Sequence, residues 1–198
     1  MQADNCPVQD IRARVPCRFW RGPVLEKARA ALGMVLACRV GGIVQRGRIV
    51  EVEAYGGSDD PASHAFRRKT PRNTVMFGPG GVAYVYFIYG MHYCLNIVTG
   101  SQGEAAAILV RALEPLENIT GRTDGPARLC AALGIDRQCN GLSLDSDTLW
   151  LETGDSPLPS HEIVQCPRIG INALSPAAQW PWRFLAKNSH HVSKPPCR

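Results

Sequence analysis

Residues 51–96 read EVEAYGGSDDPASHAFRRKTPRNTVMFGPGGVAYVYFIYGMHYCLN, and this stretch decides both the expected fold and the expected site. It starts at the end of a strand with alternating carboxylates, continues through a Gly- and Pro-rich loop and ends in an aromatic hairpin. Ionisable groups therefore lie beside flat aromatic faces, which suits a site that holds a planar ligand while a carboxylate acts on it. A structural core alone needs no such mixture.

The strand GIVQRGRIVEVEAY (42–55) provides the first candidate for catalysis. Its alternation puts Glu51, Glu53 and Tyr55 on one face, while the aliphatic residues between them face the core. Glu53 is a candidate general base that activates water. The alternative is a solvated carboxylate on the sheet face, and the spacing does not say which of the two glutamates works.

The remaining elements predict a single mixed α+β domain around a largely antiparallel sheet with a protruding hairpin. A helix is expected from Leu25 to Val35, and residues 56–81 are expected to form a long, turn-rich loop. The hairpin covers 84–99 and turns at Gly90-Met91. Further strands are predicted at 105–115, 148–152 and 168–171, and a second helix at 125–135.

The length and charge of the chain favour one domain with an anionic partner. A chain of 198 residues with 45% apolar residues can bury one substantial core. We expect a loosely ordered basic lead-in at 1–21, the domain at 22–186 and a polar tail at 187–198. The net charge is +5, and the first 50 residues hold nine Lys/Arg against three Asp/Glu, which fits an anionic polymer as partner. The excess of arginine over lysine favours phosphate contacts or reflects genome composition.

The cysteines and the hydropathy indicate a reducing, intracellular setting without a membrane span. Eight cysteines are scattered without a C-x-x-C motif, and no apolar stretch has the length of a transmembrane helix. His190-His191 with Cys197 is a poor metal motif, so no metal is expected.

Each remaining candidate side chain also has an ordinary structural explanation. Tyr55, Tyr86 and Tyr89 either stack against bases or pack the sheet. His64 contacts a ligand or caps a turn. Asn96 and Arg111 either contact a base or water, or sit near a turn and on a sheet face without a special role. What these explanations do not predict is the concentration of these residue types in one 46-residue block.

This block and the sequence after it resemble the alkyladenine (3-methyladenine, methylpurine) DNA glycosylase family. The resemblance runs from about Leu25 to Phe184 through RIVEVEAY, DDPASHAF, TPRNTVMFGPGG, AYVYFIYGMHYCLN, GEAAAILVRALEPLE, GPARLCAALGID and PWRF. It implies one α+β domain around a curved antiparallel sheet that binds duplex DNA through the minor groove and flips a damaged purine into a pocket. Neither a metal nor an organic cofactor is implied.

The resemblance also assigns roles by position. Glu53 would be the general base and Arg111 its partner, with Tyr55, His64 and Tyr86 as walls of the base pocket. Asn96 would exclude the amino group of guanine, and Tyr89 would be the wedge at the hairpin tip. Four further candidates for DNA contacts are Arg72, Asn73, Met91 and His92. The implied enzyme is a hydrolytic glycosylase without lyase activity that acts on 3-methyladenine, ethenoadenine or hypoxanthine. Nothing in the sequence requires more than a monomer.

The chain departs from the family pattern in four places, one of which is KNSHHVS (187–193) in place of a more apolar tail pattern. The connection at 118–124 is short, Leu185 stands where an aromatic residue is common, and Ala127 stands where glycine is common. None of these changes removes an assigned catalytic residue. Two other hypotheses remain: a module that binds distorted DNA without excision, and a hydrolase of free nucleosides.

Overall fold

The computed structural model describes residues 12–193, which form an antiparallel sheet with two short helices. The helices are α1 (Val24–Ala31) and α2 (Pro126–Ala132). The strands are β1 (Val35–Val40), β2 (Ile43–Gly56), β3 (Ala83–Ile88), β4 (His92–Thr99), β5 (Ala106–Glu117), β6 (Leu149–Glu152), β7 (Ile163–Cys166) and β8 (Arg183–Ala186). The strand order is β3-β4-β5-β2-β1-β6, and β8 pairs with both β2 and β7. The expected mixed α+β domain around a curved antiparallel sheet is confirmed.

The two faces of the sheet carry different sets of side chains. One face packs against both helices through a core that includes Ile49, Val52, Ala54, Ile108 and Leu129. The opposite face, called the pocket face below, packs against the loop between β2 and β3 through Ala65, Met76, Tyr84, Val98 and Ala107. Because side chains alternate along a strand, the odd-numbered residues at the end of β2 lie on the pocket face.

Two predicted elements differ from the observed ones. The helical spacing extends to Val35, but α1 ends at Ala31, Gly33 adopts a φ of +85° and Val35 starts β1. Pairing of β1 with β2 and β6 on either side overrides the helical periodicity. Residues 168–171, predicted as a strand, form the loop that follows β7. That loop borders the site described below.

The part of the lead-in that the structure describes is packed, which corrects the expectation for residues 12–21. The Val15 N–H donates to the Leu151 carbonyl at 2.8 Å, and Trp20 is fully buried in the core. Because many arginines surround Val15 and Trp20 in the sequence, the sequence pattern does not show that these two residues pack into the core. Residues 1–11 of the predicted lead-in lie outside the described residues.

The start of the polar tail also contacts the domain. The Lys187 N–H donates to the Glu162 carbonyl at 2.7 Å, and Ser193 contacts Glu51. Residues 194–198, which include Cys197, lie outside the described residues. Among residues 12–193 no group of His, Cys, Asp and Glu has the arrangement of a metal site, and neither helix is long enough to span a bilayer.

Candidate active site

A cavity of about 260 Å³ opens on the pocket face, between the β3–β4 hairpin, the β2–β3 loop and the loop after β7. It is slightly smaller than the pockets of roughly 300 Å³ or more that hold drug-sized ligands, so it suits a small group. Six of the candidate residues meet around it: Tyr55, His64, Tyr86, Tyr89, Asn96 and Arg111. The fold therefore brings together residues as far apart in the sequence as Tyr55 and Arg111.

Glu53 lies directly behind this cavity and is fully buried. Its Oε2 accepts hydrogen bonds from the Tyr55 hydroxyl at 2.9 Å and from Arg111 Nη1 at 3.2 Å. Its Oε1 accepts the backbone N–H of Ile169 at 2.7 Å. All three donor residues line the cavity, so they hold the carboxylate immediately behind its wall. The alternative of a solvated carboxylate is wrong for this residue.

Arg111 bridges two carboxylates from an irregular point in the ladder between β2 and β5. β2 and β5 pair in the same register at residues 47–49 and 52–56 of β2. Between these two stretches the register shifts, and Glu51 pairs with Ala112. Such a local bulge re-aims side chains. Arg111 donates from Nε to Glu51 at 2.9 Å, in addition to its bond to Glu53. Burial alone would lower the pKa of Arg111, but the carboxylates of Glu53 and Glu51 raise it, so the guanidinium stays charged.

Glu51, for which the sequence indicates no role, is also fully buried. Besides Arg111, its Oε1 accepts from Arg183 Nε at 2.9 Å and from the Ser193 hydroxyl at 2.8 Å. Its Oε2 accepts from the Ser193 backbone N–H at 2.5 Å. The two carboxylates and the two guanidiniums of Arg111 and Arg183 form a compact cluster beside the cavity.

A second buried ion pair supports Tyr55 from behind. Asp60 and Arg168 form a bidentate pair with distances of 2.5 and 2.8 Å, and neither side chain is exposed. The Arg168 guanidinium lies 4.7 Å from the Tyr55 ring centre, and it also donates to the Ala54 carbonyl at 2.8 Å. The pair therefore fixes the end of β2 and the ring that follows Glu53. Sequence reasoning missed it because 108 residues separate the partners.

The hydroxyl of Tyr55 donates a hydrogen bond to Glu53 behind the cavity. Burial, reinforced by the negative charge of Glu53, raises the pKa of Tyr55 well above its usual value. The hydroxyl stays protonated at neutral pH and remains a donor to Glu53. The Tyr55 ring then provides a flat apolar surface next to the carboxylate.

A second aromatic wall comes from the β2–β3 loop and from β3. The rings of His64 and Tyr86 meet edge to face with centres 4.6 Å apart, and His64 Nδ1 lies 3.1 Å from the hydroxyl of Tyr84. Partial burial, together with the positive charge of Arg72, lowers the pKa of His64. Burial raises the pKa of Tyr84 to about 12. This wall is therefore uncharged at neutral pH. Tyr84 is a further wall residue that sequence reasoning did not single out.

Asn96 closes the cavity from β4. It is 4% exposed, and its Nδ2 donates to the Tyr84 carbonyl at 3.1 Å. Strand pairing places it between Tyr84 and Leu109, so its position is fixed by both neighbouring strands. Its amide is held rigidly at the cavity wall.

The tip of the hairpin projects into solvent at the cavity mouth. The turn is centred on Tyr89 and Gly90, with φ values of +54° and +69°, one residue earlier than the sequence predicts. Tyr89 is 83% exposed and Met91 68% exposed, and His92 is exposed beside them. Large exposed hydrophobic side chains at one tip indicate an interaction surface.

Basic side chains adjoin this tip on the β2–β3 loop. Arg72 donates from Nη2 to the Phe87 carbonyl at 3.1 Å and so ties the loop to the hairpin. The exposed run Arg67, Arg68 and Lys69 lies on the same loop. Asn73 differs from the expectation of a DNA contact, since it is 2% exposed and its amide donates to the carbonyls of His64 and Arg68. Asn73 shapes the loop from inside.

The arrangement combines a flat, uncharged aromatic cavity with a carboxylate held by three donors at its back. A carboxylate in such a place can accept a proton from water, and the neighbouring guanidinium can orient it. The exposed aromatic tip and the basic loop extend from the mouth of the cavity. The geometry therefore fits hydrolysis of a small planar group presented by a larger, negatively charged molecule.

Comparison with known proteins adds a family match over most of the chain. The family model described as methylpurine-DNA glycosylase (MPG) matches residues 18–190. Three relatives bear the name "Putative 3-methyladenine DNA glycosylase". The protein of Myxococcus xanthus is 48% identical over 184 residues, which cover 92% of this chain and 94% of that protein. Those of Carboxydothermus hydrogenoformans and Bacillus cereus are 44% and 42% identical, cover 91% of this chain, and are matched over 98% and 99% of their own lengths.

Proposed function

The chain belongs to the methylpurine-DNA glycosylase family and is a DNA glycosylase, and from this premise we propose that it hydrolyses the N-glycosidic bond of flipped, damaged purines with water activated by Glu53. The products are the free base and an abasic site. The observation that carries the proposal is the position of Glu53, which three donors hold behind an aromatic cavity.

Activation of water by Glu53 follows from its environment. Arg111 and the Ile169 N–H hold the carboxylate in place, so it can take a proton from a water that attacks C1′ of the flipped nucleotide. Tyr55 donates to the same carboxylate oxygen as Arg111 and orients it. The carboxylate also stabilises the positive charge that develops on the sugar as the bond breaks.

The walls of the cavity favour alkylated and deaminated purines, of the 3-methyladenine, ethenoadenine and hypoxanthine types. The faces of Tyr55 and Tyr86 attract a cationic ring, and His64 is neutral and does not repel it. An alkylated purine that carries positive charge is also a better leaving group than an ordinary base. The buried Asn96 amide is suited to exclude the exocyclic amino group of guanine by its bulk. Selectivity then arises both from the pocket and from the substrate.

Access to duplex DNA requires that the base leave the stack. Extrusion costs a few kcal/mol, and less for a damaged or mispaired base. Tyr89 at the exposed tip can fill the gap in the duplex and offset part of the lost stacking. Arg72, Met91 and His92 adjoin the tip and contact the minor groove and its phosphates in this proposal. The whole site comes from one chain, so a monomer suffices.

Water rather than an amine is the nucleophile in this proposal. None of the lysines within residues 12–193 lines the cavity, so this part of the chain brings no amine there that could form a covalent adduct with the sugar. The reaction therefore ends at the abasic site without strand cleavage. A covalent adduct trapped by borohydride on lesion DNA would contradict this part of the proposal.

The test compares the wild type, Glu53→Gln and Glu152→Gln on duplexes that carry one ethenoadenine, hypoxanthine or 3-methyladenine-type lesion. Glu152 is a matched control, because it is also a buried carboxylate held by an arginine, but it lies on β6 at the far edge of the sheet. We expect Glu53→Gln to bind lesion DNA and to excise at least roughly 100-fold more slowly. Glu152→Gln is expected to excise at the wild-type rate per folded molecule.

Two results would overturn the proposal. Wild-type protein that binds lesion duplexes without forming alkali-labile sites would be a binding module. Faster cleavage of free nucleosides than of duplex substrates would make the chain a nucleoside hydrolase.

A further inference from the structure

Glu51 is a heavily hydrogen-bonded side chain next to the site, and the proposed chemistry does not use it. It accepts four hydrogen bonds, from Arg111 Nε, Arg183 Nε, the Ser193 N–H and the Ser193 hydroxyl. It is fully buried. Burial of a carboxylate is costly unless it is paired and hydrogen-bonded. The buried carboxylate of Glu51 is therefore expected to hold the groups that donate to it in place.

We propose that Glu51 is a positioning residue, which, clamped by Ser193, fixes the Arg111 guanidinium against Glu53. This inference rests on the proposed role of Glu53 as general base. Arg111 shares its two sides between the carboxylates: Nε reaches Glu51 at 2.9 Å, and Nη1 reaches Glu53 at 3.2 Å. Since the guanidinium is planar and rigid, holding one edge determines where the other edge points.

The charges of the cluster support the same conclusion. Two carboxylates face two guanidiniums, so the cluster is neutral beside a cavity proposed to receive a cationic base. Without the charge of Glu51, Arg111 would lose one of its two carboxylate partners, and Arg183 would lose its ion pair with Glu51. Arg111 would then be free to swing towards Glu53 or into the cavity, and the position of the general base would change with it. Errors of about 1 Å in such positions cost up to roughly 100-fold in rate.

Ser193 makes the start of the C-terminal tail a part of this device. Its N–H lies 2.5 Å and its hydroxyl 2.8 Å from the two oxygens of Glu51. Arg111 Nη2 also donates to the Ser193 hydroxyl at 3.3 Å. The serine therefore contacts both members of the ion pair.

The experiment separates the chemical step from binding and from folding in the full-length chain. Glu51→Gln keeps the size of the side chain and removes its charge. We expect its single-turnover excision of ethenoadenine from duplex DNA to be roughly 10- to 100-fold slower, with the Kd for the same duplex within about threefold of wild type. Ser193→Ala removes the hydroxyl and keeps the backbone N–H, and we expect a smaller loss of rate, also without a loss of binding.

Glu152→Gln serves again as the matched control for the removal of a buried, arginine-bound carboxylate. Its melting temperature should fall, while its excision rate should stay at the wild-type value. A Glu51→Gln protein that is folded and excises at the wild-type rate would overturn the inference. If Glu51→Gln does not fold, Ser193→Ala decides, and an unchanged rate in that variant overturns the inference as well.

These outcomes are distinct from failure of the proposed function. If Glu53→Gln excises normally, the assigned general base is wrong and the role of Glu51 loses its basis. If Glu53→Gln is inactive while Glu51→Gln and Ser193→Ala match the wild type, the proposed function stands and only the positioning role is wrong.

Discussion

The buried pair of Asp60 and Arg168 leads to the sharpest stability prediction. The two side chains are unexposed and bidentate, and Asp60 also accepts the backbone N–H groups of Gly56 and Ala62 at 3.0 Å. Asp60→Ala leaves the Arg168 charge buried without its partner and leaves two N–H groups without an acceptor. Removing one partner of a buried pair typically destabilises a protein by about 3–5 kcal/mol.

The size of the effect follows from that range. In a protein of this length, 1 kcal/mol shifts the melting temperature by about 2–4 °C, so Asp60→Ala should lower it by roughly 6–20 °C. The double variant Asp60→Ala/Arg168→Met removes the stranded charge as well. Methionine also packs well among the rings of Tyr55, Trp180 and Trp182 that surround Arg168. The double variant is therefore expected to melt above Asp60→Ala.

Thermal unfolding of the wild type, Asp60→Ala, Arg168→Met and the double variant measures the coupling between Asp60 and Arg168. Asp124→Ala is the control, because Asp124 forms its ion pairs with two exposed arginines and its loss should leave the melting temperature nearly unchanged. The reasoning fails if Asp60→Ala melts with the control. It also fails if the losses of the two single variants simply add in the double variant.

Three further predictions concern the cavity and its mouth. Tyr89→Ala should slow excision from duplex DNA by roughly tenfold or more and slow excision from single-stranded substrate much less. Equal losses on the two substrates in single-turnover assays would contradict the assignment of Tyr89 as the wedge. Asn96→Ser should raise the excision of guanine-type relative to adenine-type lesions by roughly tenfold in competition assays. An unchanged ratio would mean that a residue other than Asn96 excludes the amino group of guanine. The folded-state pKa of His64 is lowered below 6.5, so the unfolded chain binds the proton more readily and stability falls as the pH drops below 6.5. Melting temperatures at pH 7.5 and 5.5 should differ less in His64→Gln than in the wild type.

The strand alternation of residues 51–55 is the part of the site that could be predicted most directly. Period-two spacing alone places Glu53 and Tyr55 on one face, and the structure confirms it through their mutual hydrogen bond at 2.9 Å. The hairpin could be predicted from its β-branched and aromatic residues, and β3 and β4 lie where the pattern indicates. Its turn was misplaced by one residue because a tyrosine at positive φ is uncommon.

The long-range polar pairs could not be predicted. Arg168 and Ser193 lie more than 100 residues from Asp60 and Glu51, and an arginine or serine in a loop has no periodicity that reveals a buried partner. Because the partners of Glu51 are also remote in the sequence, the sequence alone does not distinguish the role of Glu51 from that of Glu53. The packing of Val15 and Trp20 was missed because arginines dominate the segment around them.

The left-handed backbone at Tyr89 has a practical consequence for protein engineering. A residue other than glycine in this conformation costs about 1–2 kcal/mol, and glycine or asparagine adopts it more easily. A library selected for heat resistance alone is therefore expected to enrich these two residues at position 89. Each such variant would gain thermal tolerance and lose the side chain that we propose as the wedge in paired DNA. A thermostability campaign on this scaffold should keep position 89 fixed and search elsewhere.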